Sequence, residues 1–314
     1  MLKLPLVSFI VTSYNYEKFI IKTLESIINQ TYKNIELIIV DDCSSDKSQE
    51  LIEHFINCNQ DKRITFIKNS TNKGQLASML TGLASARGEF ISFIDSDDIL
   101  LPEYAMAHIK VHMVTSVAFT SSLIAEIDEN DVIHTIYSIA SNQKEPYFKV
   151  RNLDDLFKFD VEHPDFQIVK APFGGWFWSP NSSAMFRKAS IELLLKYKNT
   201  DKWKVCPDKF IFNFAHLIGG SANILEPLTA HRRHKDNAGN AAYVCGNKKY
   251  NNDNITYLNL KNNFNIRPET LSFIIKNKKE FEKLYGKKNT AKLILTVLFS
   301  YLYLIKQFIS FGIK

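Results

Sequence analysis

Residues 87–98 decide the fold, and they read Arg-Gly-Glu-Phe-Ile-Ser-Phe-Ile-Asp-Ser-Asp-Asp. The mainly apolar run Phe90–Ile94 predicts a buried strand, and Gly88 ends the helix before it. Asp95 and Asp97 follow at once. Side chains two residues apart in an extended segment project to the same side, so both carboxylates can address one cation or ligand. Such hard oxygen ligands suit Mg²⁺ or Mn²⁺, which usually bridge protein carboxylates to substrate phosphates.

The residues before this stretch repeat the pattern of a strand followed by a helix. Branched, apolar runs predict three more strands, and apolar residues at helical spacing predict the helices between them. The predicted strands are Val7–Thr12, Ile35–Val40 and Ile64–Ile67, and the best-defined helices are Glu17–Gln30 and Gly74–Ala86. Short links between them imply right-handed crossovers and a parallel sheet covered on both faces.

Polar residues follow the first, second and fourth of these strands. They are Thr12-Ser13-Tyr14-Asn15, then Asp41-Asp42, then Asp95-Ser96-Asp97-Asp98. Ligands of an open parallel sheet bind beyond the carboxyl ends of the strands. An aspartate at a strand end is also a common turn former or helix cap. The alternative interpretation of Asp97-Asp98 is therefore a cap on the helix that Pro102 starts. Three such segments together favour a binding site.

Several classes of protein are excluded by the motifs. The early helices are preceded by neither GxGxxG nor GxxxxGK[ST], so a diphosphate held by a metal ion is the remaining simple option. The four scattered cysteines fit a reducing compartment. His231 and His234 are three residues apart beside Arg232 and Arg233, and this local segment lacks the cysteine or acidic partners of a zinc site. The apolar start, Leu4–Val11, has no small-residue cleavage site and is interpreted as a strand.

The middle of the chain is less regular. Val117–Ile127 and Val132–Ile139 predict a hairpin, and Ile191–Tyr197 and Lys209–Ile218 predict helices. The segment Gly174-Gly175-Trp176-Phe177-Trp178 is either core packing or a platform for a sugar ring. We favour the second interpretation, which makes Gly175, Trp176 and Trp178 candidate acceptor-binding residues.

The basic charge is concentrated at the end of the chain. Residues 244–314 carry 13 Lys+Arg against 4 Asp+Glu, whereas the whole chain has a net charge of +6. This asymmetry indicates an anionic partner, either a membrane or a nucleic acid. Leu293–Ile305 is free of charge but short for a membrane span. It fits equally an interfacial anchor beside a lysine cluster and a helix packed on the domain.

Four segments resemble the family 2 glycosyltransferases of GT-A fold. They are Val7 to Asn15, Val40 to Asp46, Asn72-Lys73-Gly74-Gln75 and Arg87 to Asp98. The resemblance continues more thinly through Met185-Phe186-Arg187, Pro207-Asp208 and the stretch from Glu226 to His234, and it fades beyond about residue 240.

The resemblance implies roles for individual residues. Residues in its donor nucleotide site are Thr12, Tyr14, Asn15, Asp41, Asp42, Asp95 and Ser96, with Tyr14 stacking on the base. Asp95, Asp97 and His234 would hold Mn²⁺ or Mg²⁺. Asp208 falls at the general base, although Pro207 precedes it where relatives have Glu or Gly. Met79-Leu80 replaces an Arg-Asn pair of many relatives, so some nucleotide contacts are missing.

The resulting prediction is an α/β protein of GT-A fold, with a single mainly parallel nucleotide-binding sheet flanked by helices. Residues 1–243 form the glycosyltransferase domain, in which 1–100 bind the nucleotide sugar and 101–243 the acceptor. Residues 244–314 form a basic helical C-terminal extension. The expected localisation is cytoplasmic, with or without peripheral contact at the inner face of the cell membrane.

The predicted activity is transfer of a hexose from a nucleotide-diphosphate sugar, UDP-linked by preference, to a hydroxyl of a glycan or glycolipid acceptor in bacterial surface polysaccharide or glycolipid synthesis. One base without a second carboxylate nucleophile implies inversion at the anomeric carbon. The alternative is a non-catalytic nucleotide-sugar-binding protein of the same fold. The interpretation as a nucleic-acid-binding protein depends on the basic C-terminal segment alone, because no nucleic-acid recognition motif accompanies that segment.

Overall fold

The computed structural model describes residues 4–137, 163–171, 178–234, 237 and 266–312. In these residues ten strands form one sheet, flanked by helices. The strands are β1 Val7–Ser13, β2 Ile35–Asp41, β3 Ile64–Lys68, β4 Phe90–Asp95, β5 Ile99–Leu100, β6 Phe119–Ile127, β7 Ile133–Tyr137, β8 Phe166–Val169, β9 Ala184–Arg187 and β10 Ser221–Arg232. The helices are α1 Ile20–Ile28, α2 Ser48–Asn59, α3 Gln75–Ser85, α4 Tyr104–Val114, α5 Lys188–Ile191, α6 Asp208–Gly219, α7 266–276, α8 Lys278–Tyr285 and α9 Lys287–Gly312.

The first four strands form the parallel half of the sheet, as the sequence predicts. Strand β1 lies between β2 and β4 and is parallel to both, and β3 extends the sheet beyond β2. Alternate residues of β1 enter different cores. Phe9 and Val11 pack with α1 and α4, whereas Ile10 packs with α3. Both faces are therefore covered, and a nearly continuous apolar strand is what such burial requires.

The register of these strands brings their carboxyl ends together. Thr12 of β1 lies opposite Asp95 of β4, and Ser13 lies opposite Asp41 of β2. The polar segments after the strands therefore meet at one edge of the sheet, which confirms the geometric expectation for an open parallel sheet.

Beyond β4 the sheet is mixed, and here the sequence-based interpretation is incomplete. Strand β9 is antiparallel to both β4 and β6, and β6 is parallel to β10. The sequence did not predict β9 or the twelve-residue β10. Pro227 lies inside β10, where it lacks the N–H that a ladder needs. The β6–β10 register shifts on both sides of Pro227, so a bulge accommodates it.

The structure agrees in part with the predictions for the middle and the end of the chain. The hairpin is confirmed, since β6 and β7 pair antiparallel. The segment predicted as one helix at Ile191–Tyr197 is the short α5 followed by a 3₁₀ turn, Glu192–Lys196. Near the end, α9 packs against α8 and α6. No helix in the described ranges is both long and apolar enough to cross a membrane. The domain boundaries stay a prediction.

Buried histidines lie beneath the sheet. His112 of α4 is 1% exposed, and its Nε2 lies 3.0 Å from the carbonyl oxygen of Met185. Burial, together with the charge of Arg187, lowers the pKa of His112 to about 3, against a weaker opposing effect of that hydrogen bond. His108 and His216 also have pKa values lowered mainly by burial. The folded protein therefore holds these imidazoles neutral.

We predict that His112→Gln weakens the acid sensitivity of the fold. The pKa of His112 lies below the value of about 6.5 in the unfolded chain. Stability from the neutral ring is therefore present above pH 6.5 and lost as the pH falls towards 3. Linkage puts this loss at about 2 to 3 kcal/mol by pH 4.5. Urea unfolding at pH 7.5 and 4.5 measures it, and parallel pH dependences of the variant and the wild type would contradict the prediction.

Candidate active site

The loop after β1 and the loop after β2 are joined by reciprocal hydrogen bonds. The backbone N–H of Asn15 donates to Oγ of Ser44 at 2.9 Å, and the N–H of Ser45 donates to Oδ1 of Asn15 at 2.8 Å. Asn15 adopts a φ of 61°, a left-handed conformation that asparagine tolerates better than most residues. Tyr14 is 45% exposed beside this junction. The predicted stacking residue thus stands on a braced turn with its ring accessible.

The Asp41-Asp42 pair is buried, and both side chains already have partners. Asp42 accepts from Nδ2 of Asn69 at 2.8 Å and from the backbone N–H groups of Lys73 and Gly74 at 2.9 and 2.7 Å. Both oxygens of Asp42 are therefore used to hold the loop before α3. These hydrogen bonds give Asp42 a structural role, and the contact with base or ribose that the resemblance implies stays a prediction.

Asp41 is held by the loop that follows it. Its carboxylate accepts from the N–H and Oγ of Ser44 at 2.9 and 2.6 Å and from Nε2 of Gln49 at 2.6 Å. The Asp41 side chain is fully buried, and Thr12, also predicted in the donor site, is 8% exposed. Its role in donor binding stays a prediction, since a ligand would have to replace one of these donors.

Three carboxylates crowd the end of β4. Oδ1 of Asp95 accepts from Nε2 of Gln75 at 2.7 Å and from Nδ2 of Asn181 at 3.1 Å. Ser96 points away from the edge, because its Oγ donates to the carbonyl of Thr12 at 2.6 Å and its side chain is buried. The Ser96 side chain therefore stabilises the turn. In this arrangement it makes no direct contact with a sugar-nucleotide donor.

Asp98 is neutralised from the last strand of the sheet. Nδ1 of His231 lies 3.0 Å from Oδ1 of Asp98, and the backbone N–H of Arg232 donates to the same oxygen at 2.9 Å. Burial raises the pKa of Asp98, but the charge and hydrogen bond of His231 outweigh it and leave the pKa lowered. The pKa of His231 is raised in turn, against its burial, by Asp98. The two form a buried ion pair.

Arg232 fixes the acidic turn to the rest of the fold. It is fully buried, and its Nε donates to the carbonyl of Asp97 at 2.9 Å. Its NH1 donates to the carbonyl of Asp128 at 2.7 Å and pairs with Asp131 at 2.6 Å. The guanidinium also lies over the ring of Phe19. These contacts hold the backbone of the turn in one position.

Negative charge is unfavourable on Asp95 and on Asp97. Burial raises the pKa of both, and the charge of Asp98 raises each of them further. Asp97 is also tied to the chain after β10. Its Oδ2 lies 3.0 Å from Nε2 of His234 and accepts from Nδ2 of Asn237 at 3.0 Å. The His234 ring lies against Phe19 and Tyr16.

Asp95, Asp97 and His234 are the candidate ligands of a divalent cation. Within the described ranges, no group of three or more His, Cys, Asp or Glu side chains is placed so that it could hold a metal ion. Two carboxylates with raised pKa values and one imidazole are nevertheless donors that suit Mn²⁺ or Mg²⁺, and Mg²⁺ commonly takes its other ligands from water and substrate phosphates. The donors are thus of the chemical type that suits such a cation, which would need its remaining ligands from water or substrate.

Asp208 opens α6 and carries a buried carboxylate oxygen. Its Oδ1 has no hydrogen-bond partner among the described residues. Burial raises the pKa of Asp208, opposed by the N–H and charge of Lys209. Burial, then the charges of Asp208 and Asp95, raise the pKa of the Cys206 thiol to about 11, so both carboxylates act on one thiol. The backbone N–H of Gln75 also donates to the carbonyl of Lys204 at 3.0 Å, which places this segment beside the partner of Asp95.

The predicted acceptor residues are not brought to this edge. Trp178 is 1% exposed, and its Nε1 donates to Oγ of Ser221 at 2.9 Å. Its ring packs on Phe119 and Phe212 in the larger core. A ring so enclosed has no face open to a sugar, and the core-packing alternative is correct for Trp178. Gly175 and Trp176 lie outside the described residues.

Four residues of the site were missed by the sequence analysis. They are Gln75, Asn181, Arg232 and Asn237, which contact Asp95 or Asp97. Gln75 belongs to the Asn72-Lys73-Gly74-Gln75 segment, one of the four that carry the family resemblance, so the sequence did point to this position. Nothing in the local sequence distinguishes Asn181 or Asn237, because their relation to the carboxylates comes from the packing of distant strands.

Comparison with known proteins gives the class of the protein. Residues 8–195 match the model of glycosyl transferase family 2. The chain is 31% identical to the putative glycosyltransferase EpsH of Bacillus subtilis over 73% of its length, which is 61% of the EpsH chain. It is 43% identical to the Escherichia coli enzyme UDP-Glc:alpha-D-GlcNAc-diphosphoundecaprenol beta-1,3-glucosyltransferase WfaP, over 30% of this chain and 36% of WfaP.

A solved structure has the same fold. The crystal structure of residues 1–349 of S. aureus TarS, in complex with UDP-GlcNAc, superposes with a TM-score of 0.52 at 17% identity. The alignment covers 95% of this chain and 81% of that one. The protein therefore belongs to glycosyltransferase family 2 and has its GT-A fold. The matches to EpsH and WfaP span less than two thirds of either relative.

We predict that Asp42→Asn lowers the free energy of unfolding by about 1.5 to 3 kcal/mol, because the amide cannot accept all the N–H groups that Asp42 accepts. Urea denaturation measures the change. Asp201→Asn is the matched control, because the Asp201 side chain is 87% exposed. Loss of donor affinity with unchanged stability would instead return Asp42 to the donor site.

Proposed function

We propose that this protein is an inverting, metal-dependent glycosyltransferase that moves a hexose from a UDP-sugar to a hydroxyl of a glycan or glycolipid. The observation that carries the proposal is the juxtaposition of two different acidic sites. Asp95 and Asp97 are carboxylates with raised pKa values that a cation would relieve, and Asp208 has a buried oxygen that no described residue satisfies.

The donor lies, in this proposal, across the carboxyl ends of β1, β2 and β4. Tyr14 offers an accessible ring for the base, because it is exposed on a turn that Asn15 and Ser45 hold in place. Thr12 and Asp41 border that turn. The UDP-GlcNAc complex of TarS and the UDP-glucose named for WfaP support a uridine nucleotide as the donor.

Asp97 and Asp95 would hold a divalent cation, with His234 as a further protein donor. Such an ion would supply positive charge to the leaving diphosphate. The chain's contribution is to keep these groups fixed. Gln75 and Asn181 orient Asp95, and Arg232 fixes the backbone carbonyl of Asp97. A site so held needs little rearrangement as charge develops.

Asp208 accepts the proton of the acceptor hydroxyl in the proposed reaction. Its raised pKa makes it a stronger base than an ordinary carboxylate, which suits proton transfer near neutral pH. Among the described residues of the site, no second carboxylate is proposed to act as a nucleophile. We therefore propose a single displacement, in which the hydroxyl attacks from the face opposite the diphosphate and the anomeric carbon inverts.

The acceptor side of the proposal is a glycan or glycolipid of bacterial surface polysaccharide synthesis. WfaP is named for an acceptor carried on diphosphoundecaprenol, and EpsH for glycosyl transfer. A lipid-linked acceptor would be met at a membrane surface. We propose cytoplasmic localisation with peripheral membrane contact through the C-terminal helices.

The alternative is a nucleotide-sugar-binding protein without catalysis. The nucleotide-binding half alone would be sufficient for such a binding protein, but the buried carboxylate of Asp208 would then have no function. Incubation with Mn²⁺ and a panel of nucleotide sugars separates the two, since slow release of nucleoside diphosphate without acceptor indicates an active transferase.

We predict that Asp208→Asn lowers the transfer rate by about 10²- to 10⁴-fold, the usual contribution of a positioned base, and leaves donor binding intact. Calorimetric titration with UDP and single-turnover transfer measure the two effects. The control is Asp201→Asn, an exposed aspartate in the same segment. If donor binding disappears together with transfer, Asp208 belongs to the nucleotide site or the core.

We predict that Asp97→Asn abolishes Mn²⁺-dependent turnover while the fold survives. Asparagine can keep a hydrogen bond with His234 or Asn237, but one anionic ligand is lost. Turnover over a range of Mn²⁺ concentrations, with circular dichroism to verify folding, measures the outcome. Wild-type activity of the variant at saturating Mn²⁺ would refute the role as a ligand.

A further inference from the structure

Helix α9 carries two different faces. Leu293, Val297 and Leu304 are buried, and Leu293 and Val297 join the core that contains α6 and α8. The opposite face presents Leu295, Phe299, Leu302 and Tyr303, each at least half exposed. These four residues are spaced i, i+4, i+7 and i+8, so they form one continuous stripe. We call it the outer stripe.

The outer stripe is more apolar than an exposed helix face requires. Phe299 is 64% exposed, in contrast to the buried phenylalanines of the core. Single exposed apolar residues are ordinary on protein surfaces, but a contiguous row of large ones marks an interaction site. Among the described residues, Leu295, Phe299 and Leu302 keep at least half of their surface exposed.

Positive charge shares the outer stripe's side of the helix. Lys288, Lys292 and Lys306 are exposed, and their helical positions lie within the same sector as Leu295 and Phe299. The wider segment 276–306 has eight lysines and two glutamates. Both glutamates pair with lysines, Glu280 with Lys196 and Glu282 with Lys278. The surface therefore keeps a strong positive excess.

We propose that the outer stripe lies in the interface of an anionic lipid membrane, parallel to its plane. A lipid surface is the occupant that matches both properties, because it offers acyl chains to an apolar row and negative headgroups to the lysines beside it. A hydrophobic protein partner would explain the leucines and Phe299 but leave the lysine excess without a counterpart. The inference deepens the peripheral contact proposed above by naming the face that makes it.

This placement ties the enzyme body to the membrane rigidly. The inner face of α9 is packed into the same core as Phe214 of α6, and α6 begins at Asp208. The contact therefore does not depend on a flexible tether. It fixes the orientation in which the proposed base faces an acceptor presented at the surface.

The test is co-sedimentation of the full chain with vesicles of phosphatidylcholine, with or without about one third phosphatidylglycerol. We expect at least tenfold stronger binding to the anionic vesicles, weakened by salt. Phe299→Ser combined with Leu302→Ser should lower binding at least tenfold. Lys288→Gln and Lys292→Gln should each lower it by about fivefold.

Matched controls remove similar groups elsewhere. Met113→Ser with Val114→Ser deletes two exposed apolar side chains of α4, and Lys33→Gln with Lys62→Gln deletes two exposed charges. These variants should bind vesicles like the wild type. Circular dichroism and unfolding curves verify that every variant is folded.

Three results would overturn the proposal. They are failure of the wild type to pellet with anionic vesicles at low salt, equal losses in the stripe and control variants, and a dimer in sedimentation velocity that Phe299→Ser dissociates without any vesicle binding. The last result would make the stripe an interface between copies of the chain. The assay contains no sugar donor, so its failure leaves the proposed transferase activity to be judged by the Asp208 and Asp97 variants.

Discussion

The site depends on the burial of three nearly adjacent carboxylates at the end of β4. The charge of Asp98 raises the pKa of Asp95 and Asp97, and the charge of Asp97 raises the pKa of Asp95 further, whereas His231 lowers the pKa of Asp98. Burying such charge costs far more than a hydrogen bond unless it is paired. His231 pairs with Asp98, and the other two remain as a place where positive charge is favoured. The acidic turn and the last strand are therefore one unit.

The parallel half of the fold could be predicted from the sequence because its signals are local. Buried parallel strands are continuous apolar runs, and Gly88 and the helical spacing around Leu24 mark the elements between them. The polar residues after each strand then had to meet at one edge. The structure confirms this geometry through the register of Thr12 with Asp95.

The other half could not be predicted in the same way, because its elements are defined by distant partners. Strand β10 contains Pro227 and a bulge, so its local pattern argues against a central strand. Trp178 belongs to a tryptophan-rich segment that suggests a sugar-binding platform. Its ring nevertheless lies in the core, where it packs against Phe119 and Phe212. Likewise, Asp42 looks like a ligand contact by position and acts as an anchor by its hydrogen bonds. A sequence motif predicts where a side chain lies. The hydrogen bonds that the side chain already accepts then determine which further contacts it can make.

The ion pair between Asp98 and His231 joins residues 133 positions apart. During synthesis, strands β1 to β4 leave the ribosome long before β10 exists, so the acidic turn has no imidazole to balance it at that stage. Formation of the site is coupled to completion of the sheet, and a chain truncated before residue 231 would carry its charges unpaired. Such a long-range closure is slow by its contact order, and it makes a properly formed site a marker of a fully folded sheet.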